Sequence, residues 1–116
     1  MPNYRLKRIE SMILEEISLL IVRGKIKDPR VHSFLSVTRV EAAKDLTSAK
    51  VWVSSFESPE TLEKAIQGLN HAAGYIQHEL GQKLRTRNTP QLRFIADQSI
   101  EHSYRINKKL KDLNEE

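Results

Sequence analysis

Cysteine is absent from this 116-residue chain, which excludes disulfides, thiolate nucleophiles and Cys-ligated zinc at once and is compatible with a reducing compartment. Long apolar runs are also missing. None approaches the ~20 residues of a membrane-spanning helix, and Met1 to Lys7 leads into an amphipathic stretch instead of the apolar core of a secretion signal. Glycine occurs four times, and no pair of glycines builds a Gly-x-x-Gly clamp, a Walker loop or a Gly-x-Ser-x-Gly elbow. His32, His71, His78 and His102 lack the spacing of a metal site. With no paired-carboxylate constellation either, catalysis has no support. No cofactor, metal or small-molecule substrate is expected, nor any membrane association, and the chain reads as a soluble cytoplasmic protein.

What is present is a mild excess of positive charge: 19 Lys+Arg against 15 Asp+Glu, a formal charge of +4 and a pI near 9.5. That balance points to an anionic partner only if the cations cluster. The length suits one domain, spanning residues 1–116, with one modest core.

From Tyr4 to Val22 the residues Leu6, Ile9, Ile13, Ile17, Leu20 and Ile21 recur at helical spacing and predict a first amphipathic helix, ended by Gly24. A basic connector follows, in which Pro29 disfavours further helix at Asp28. Phe34 to Ala43 is rich in β-branched residues, but its two faces are mixed and its register stays open. In Ser48 to Ser55, Ala49, Val51 and Val53 alternate with Lys50, Trp52 and Ser54, the pattern of a strand with one face on the core. The short Lys44-Asp45-Leu46-Thr47 between them suggests an antiparallel hairpin. Ser58-Pro59-Glu60-Thr61 is an N-terminal helix signature, with Ser58 as cap and Pro59 in the first helical position. The helical pattern runs on to Arg87 but is broken at Ala72-Ala73-Gly74 and stopped by Asn88-Thr89-Pro90. Leu92 to Ala96 reads as a third strand, with Leu92 and Phe94 on one face and Arg93 and Ile95 on the other. A last helix from Ser99 carries Ile100, Tyr104, Ile106, Leu110 and Leu113.

Cations concentrate in two regions. Carboxylates Glu60 and Glu63 precede the break, whereas Lys83, Arg85, Arg87 and Arg93 follow it with no carboxylate between Gln82 and Ala96. These four side chains either converge on phosphates or simply complement the negative end of a helix dipole. Since residues two apart lie ~200° around a helix, Lys83, Arg85 and Arg87 do not all share one face. Arg5, Lys7 and Arg8, with Lys25, Lys27 and Arg30 at the other end of the first helix, form the second region, which an ordinary solvated surface would also explain. Trp52 sits on the less apolar side of its strand. There it either packs on neighbours such as Ile95 or stacks on a base or partner.

The order α, β, β, α, break, α, β, α resembles the type II KH arrangement of the ribosome-binding factor A family. The words that carry the resemblance are Arg8-Ile9, Asp28-Pro29-Arg30-Val31, Asp45 to Ser54 across the hairpin, Ala72-Ala73-Gly74, and Pro90 to Ile100. Each is short, but their order and spacing cover nearly the whole chain. The resemblance implies an α+β fold with a three-stranded sheet and helices on one face. It also implies a non-enzymatic bacterial assembly factor that binds the free, immature 30S subunit and its 16S rRNA as a monomer. Such a factor promotes late maturation, including 5′-end processing of the precursor 16S rRNA, and matters for growth in the cold. In that family an Ala-x-Gly kink replaces the KH glycine loop, matched by Ala72, Ala73 and Gly74, with Gly74 expected to supply a dihedral that other residues resist; the break either exposes amides of the second helix to a phosphate or is a purely structural bend. Under the resemblance the two cation clusters are candidate RNA contacts. The alternative is a protein-interaction adaptor using the sheet face around Trp52 and Lys50. Some relatives carry a longer C-terminal tail than Leu113-Asn114-Glu115-Glu116.

Overall fold

The computed structural model describes residues 4–32, 35–55, 57–84 and 89–97; the expected last helix, Arg85, Arg87 and His102 lie outside them. Six elements follow in the order α1 (Tyr4–Val22), β1 (Ser36–Ala42), β2 (Ser48–Ser54), α2 (Pro59–His71), α3 (Ala73–Lys83) and β3 (Gln91–Ala96). The architecture is α+β, with a three-stranded sheet in the order β1-β2-β3. β1 and β2 are antiparallel, while β3 runs parallel to β2. A parallel neighbour needs a crossover, and here the α2–α3 pair provides it.

α1 buries Ile9, Ile13, Ile17 and Ile21 along one stripe, each contributing roughly 1.5–3 kcal/mol by leaving water. The stripe meets Val51 and Val53 of β2, Leu62 and Leu69 of α2, Ile76 and Leu80 of α3, and Phe94 of β3 in one core. Gly24 terminates α1 at φ +65°. Lys25 N–H reaches Leu20 O at 3.0 Å and Gly24 N–H reaches Ile21 O at 3.1 Å, the paired bonds of a Schellman cap. The N-terminal half of α1 is tied to the end of β1, where Glu10 Oε2 accepts from Ala42 N–H at 2.8 Å. Ser58 caps α2 as its position predicts, accepting from Thr61 N–H at 3.2 Å. Asp45 closes the hairpin turn, accepting from Thr47 N–H at 3.1 Å and Thr47 Oγ1 at 2.8 Å. Those bonds hold its carboxyl below the usual carboxylate range.

The mixed pattern of β1 has a physical cause. A bulge between Val37 and Arg39 interrupts the register against β2, so Val37 and Val40 both point inward and simple alternation fails. Thr38, the extra residue, donates from Oγ1 to Asp97 Oδ2 at 2.6 Å and so links β1 to the end of β3 across the sheet.

α3 is shorter than its sequence pattern predicts. It ends at Lys83, and Leu84 is already extended (φ −79°, ψ 128°) and buried. The returning chain passes so close to α3 that a Cβ on Gly81 would stand 2.8 Å from Thr89 Oγ1. Burial of Leu84 and this return over Gly81 stop the helix before the stretch reaches Arg87.

Candidate nucleic-acid interface

The break between α2 and α3 falls at Ala72, with φ −89° and ψ 6°. Gly74 does not supply an unusual dihedral: of the described glycines only Gly24 has positive φ. A Cβ added at Gly74 would meet nothing within 4 Å. The expectation that Gly74 bends the chain is therefore corrected. Its missing side chain leaves bare backbone at the surface, in the first turn of a helix that no side chain caps.

Two amides hold the angle. On one side of the break, Asn70 pairs with β3 like a neighbouring strand: its Oδ1 accepts from Phe94 N–H at 2.9 Å and its Nδ2 donates to Phe94 O at 3.1 Å. On the other side, Gln77 Oε1 accepts from Leu92 N–H at 2.9 Å. β3 is an edge strand, and these side chains satisfy backbone groups that would otherwise invite a foreign strand. They also pin α2 and α3 to one rigid ruler. Neither residue is marked in the sequence, because an amide at a helix surface shows its partner only once the strand is in place.

Gly68 is a third residue that no sequence motif marks. Its bare backbone lets the connector lie against α2: a Cβ there would stand 3.0 Å from Asp28 Oδ1 and 3.1 Å from both Arg30 Cβ and Val31 Cγ2. The connector is fastened at that point. Asp28 accepts from Arg30 N–H at 2.9 Å, Nε at 3.0 Å and Nη2 at 2.8 Å, and His71 Nδ1 lies 3.4 Å from Asp28 Oδ2. The Arg30 side chain, then its backbone N–H, holds the Asp28 carboxyl far below the ordinary carboxylate range against the opposing effect of burial. Arg30 is thus committed to Asp28, so its charge serves the fold of the connector more than an outside anion.

Lys25 and Lys27 remain. Ile26 between them is buried, so both lysines face outward in this extended segment, and neither has a carboxylate partner among the described residues. With Pro29, Ala72, Gly74 and Tyr75 they line a groove of about 790 Å³ between the connector and the break. Tyr75 and Lys25 also border an adjoining cleft that runs between the end of α1 and α3 and takes in Arg23 and Lys83 together with Glu16 and Glu79. The structure therefore brings together Lys25, Lys27, Lys83, Ala72 and Gly74. Arg23 and Tyr75 belong with them, although no motif marks either.

Other candidates sit elsewhere. Arg5, Lys7 and Arg8 are exposed at the far end of α1, which at ~1.5 Å per residue puts them roughly 25 Å away along the helix. Arg93 lies in a separate cleft between α2 and β3, across from Glu63. Trp52 is half-buried, with Ile95 beside it in register on β3 and the Arg39 guanidinium 4.7 Å from its ring centroid. Arg39 is itself paired to Glu41 at 2.7 Å. One face of the indole is thus already covered by a cation–π contact, in keeping with a packing role.

Residues 5–110 match the family model described as Ribosome-binding factor A. The chain is 44% identical over 112 residues to the ribosome-binding factor A of Borreliella burgdorferi strain ZS7, covering 97% of this chain and 93% of that protein. The solution structure of a Thermotoga maritima protein, described as a putative ribosome binding factor A, superposes with TM-score 0.72 at 32% identity, covering 87% and 94% of the two chains. Thermus thermophilus ribosome binding factor A coordinates, fitted into a cryo-EM map of a 30S complex, superpose with TM-score 0.57 at 25% identity, covering 80% and 91%.

Proposed function

The chain belongs to the ribosome-binding factor A family, and on that footing we propose that it binds the immature 30S subunit through its 16S rRNA and promotes late maturation. We include 5′-end processing of the precursor 16S rRNA and a requirement in the cold, and take the protein to act as a cytoplasmic monomer without catalysing any step. The observation that carries this reading is the groove in which Lys25 and Lys27 stand beside the bare backbone at Gly74. Cations without a carboxylate partner among the described residues, next to accessible backbone, suit a phosphodiester chain, because each phosphate they neutralise releases condensed counterions. A related protein has been fitted into a 30S complex, which makes the small subunit the natural source of that RNA.

A binder of this kind changes populations, not bonds. It remodels rRNA only by as much as it prefers one conformation over another, so nuclease processing follows indirectly from the state it favours. Co-sedimentation tests the reading. The protein should pellet with free, immature small subunits in preference to mature 70S ribosomes, and Lys25→Ala/Lys27→Ala should weaken that association while Trp52→Ala preserves it. Loss of binding on Trp52→Ala alone, with the lysine variant unaffected, would favour an adaptor that works through the open sheet face.

A further inference from the structure

Tyr75 has an unusual position for a ring. It is 43% exposed in the first turn of α3, and it walls the groove between the connector and the break. Glu16 and Glu79 line the adjoining cleft that the ring also borders, but not the groove itself. Lys25 and Lys27 flank the groove without carboxylate partners among the described residues. The carboxylate that does line it, Asp28, has both oxygens engaged by Arg30, with His71 beside them. Next to the ring, Gly74 presents no side chain, and nothing lies within 4 Å of where its Cβ would be.

We propose that this groove receives a single unpaired nucleotide of RNA, its base stacked on Tyr75 and the phosphates on either side of it held by Lys25 and Lys27. The inference rests on the ribosomal reading above and narrows it, from a basic face against folded rRNA to a defined site for a flipped or single-stranded residue. An exposed aromatic beside paired cations is the minimal equipment for that ligand, since stacking accepts any base and the cations follow the backbone. The volume of about 790 Å³ lies within the ~300–1,000 Å³ typical of small-ligand sites. Gly74 then has a use that its ordinary dihedral does not explain: it lets the sugar–phosphate chain approach the helix.

The α2–β3 cleft is less suited to the same ligand. Its cation, Arg93, shares the cleft with Glu63, and the neighbouring strand edge is already satisfied by Asn70 and Gln77.

The test uses the whole chain. Amide NMR shifts are followed as a short oligouridylate is added, with an oligoglutamate peptide of equal length as the control polyanion. Affinity for free small subunits is measured in parallel for wild type, Tyr75→Ala and Tyr75→Phe. Shifts should concentrate at residues 25–29 and 72–76 with the oligonucleotide and not with the peptide. Tyr75→Ala should weaken both oligonucleotide and subunit binding roughly tenfold or more, as expected for a lost stacking partner. Tyr75→Phe should bind like wild type, and all three should melt alike. Equal subunit affinity for wild type and Tyr75→Ala, shifts confined to the α2–β3 cleft, or selective filling of the groove by the peptide would each overturn the nucleotide site and leave the ribosomal reading intact. Oligonucleotide binding in the groove by a protein that ignores small subunits would sink the ribosomal reading alone.

Discussion

Two glycines in one broken helical stretch should respond to alanine with opposite signs. In α2, Gly68→Ala gains ~1 kcal/mol of helix propensity but drives a methyl to within 3.0 Å of Asp28 Oδ1 and 3.1 Å of Arg30 Cβ and Val31 Cγ2. None of these yields easily. The Asp28 oxygen is held by two hydrogen bonds from Arg30, and Arg30 Cβ moves only with its backbone. Overpacking of this kind costs about 1–3 kcal/mol, so the net loss should be about 1 kcal/mol, with up to ~2 if the connector cannot shift. Gly74→Ala meets open space at an ordinary helical dihedral and should gain about 0.5–1 kcal/mol. At roughly 4 °C per kcal/mol for a chain of this size, thermal unfolding followed by circular dichroism should show Gly68→Ala melting about 4–8 °C lower and Gly74→Ala about 2–4 °C higher than wild type. Urea midpoints should move the same way. A Gly68→Ala protein as stable as wild type would refute the claim that close packing of the connector on α2 demands glycine. Subunit affinity separates the two further, since Gly74→Ala should bind more weakly despite being more stable.

Other consequences are equally direct. Asn70→Ala removes both partners of Phe94 and should cost about 1–2 kcal/mol, with faster hydrogen exchange at the Phe94 amide as the specific readout. Ser58→Ala should cost about 1 kcal/mol through loss of the α2 cap, seen in the urea midpoint. The depressed Asp28 pKa gives a signed pH effect: its contribution is fully present above the ordinary value of 3.8 and is lost as pH falls below it towards the folded value. Acid titration should therefore show Asp28→Asn losing stability less steeply than wild type below about pH 4.

Much of the frame was legible in the chain because it rests on local rules. The α1 stripe, the Gly24 stop, the Ser58-Pro59 start and the alternation of β2 each follow from one element's own geometry. The register of β1 was not, because the bulge at Thr38 shifts its inward positions and only the partner strand reveals it. α3 was over-extended because the close passage of Thr89 over Gly81 leaves no mark in helical periodicity. The candidate site divides along the same line. Lysines beside a turn are visible as charge, whereas Arg30's commitment to Asp28, the two amides on β3 and the demand for glycine at position 68 arise from contacts between segments far apart in sequence. At Gly74 the expected unusual dihedral is absent, whereas open space beside bare backbone agrees with the alternative that the break exposes amides.

The central claim is that Lys25 and Lys27 meet rRNA phosphates in the groove beside the break. Its most direct test is the salt dependence of affinity for free, immature 30S subunits, comparing wild type with Lys25→Ala/Lys27→Ala. Each lost phosphate contact lowers the slope of log K against log salt by ~0.7–0.9, so the double variant should bind more weakly at low salt and show a slope shallower by roughly 1.5. A variant that binds as tightly as wild type with an unchanged slope would contradict the account.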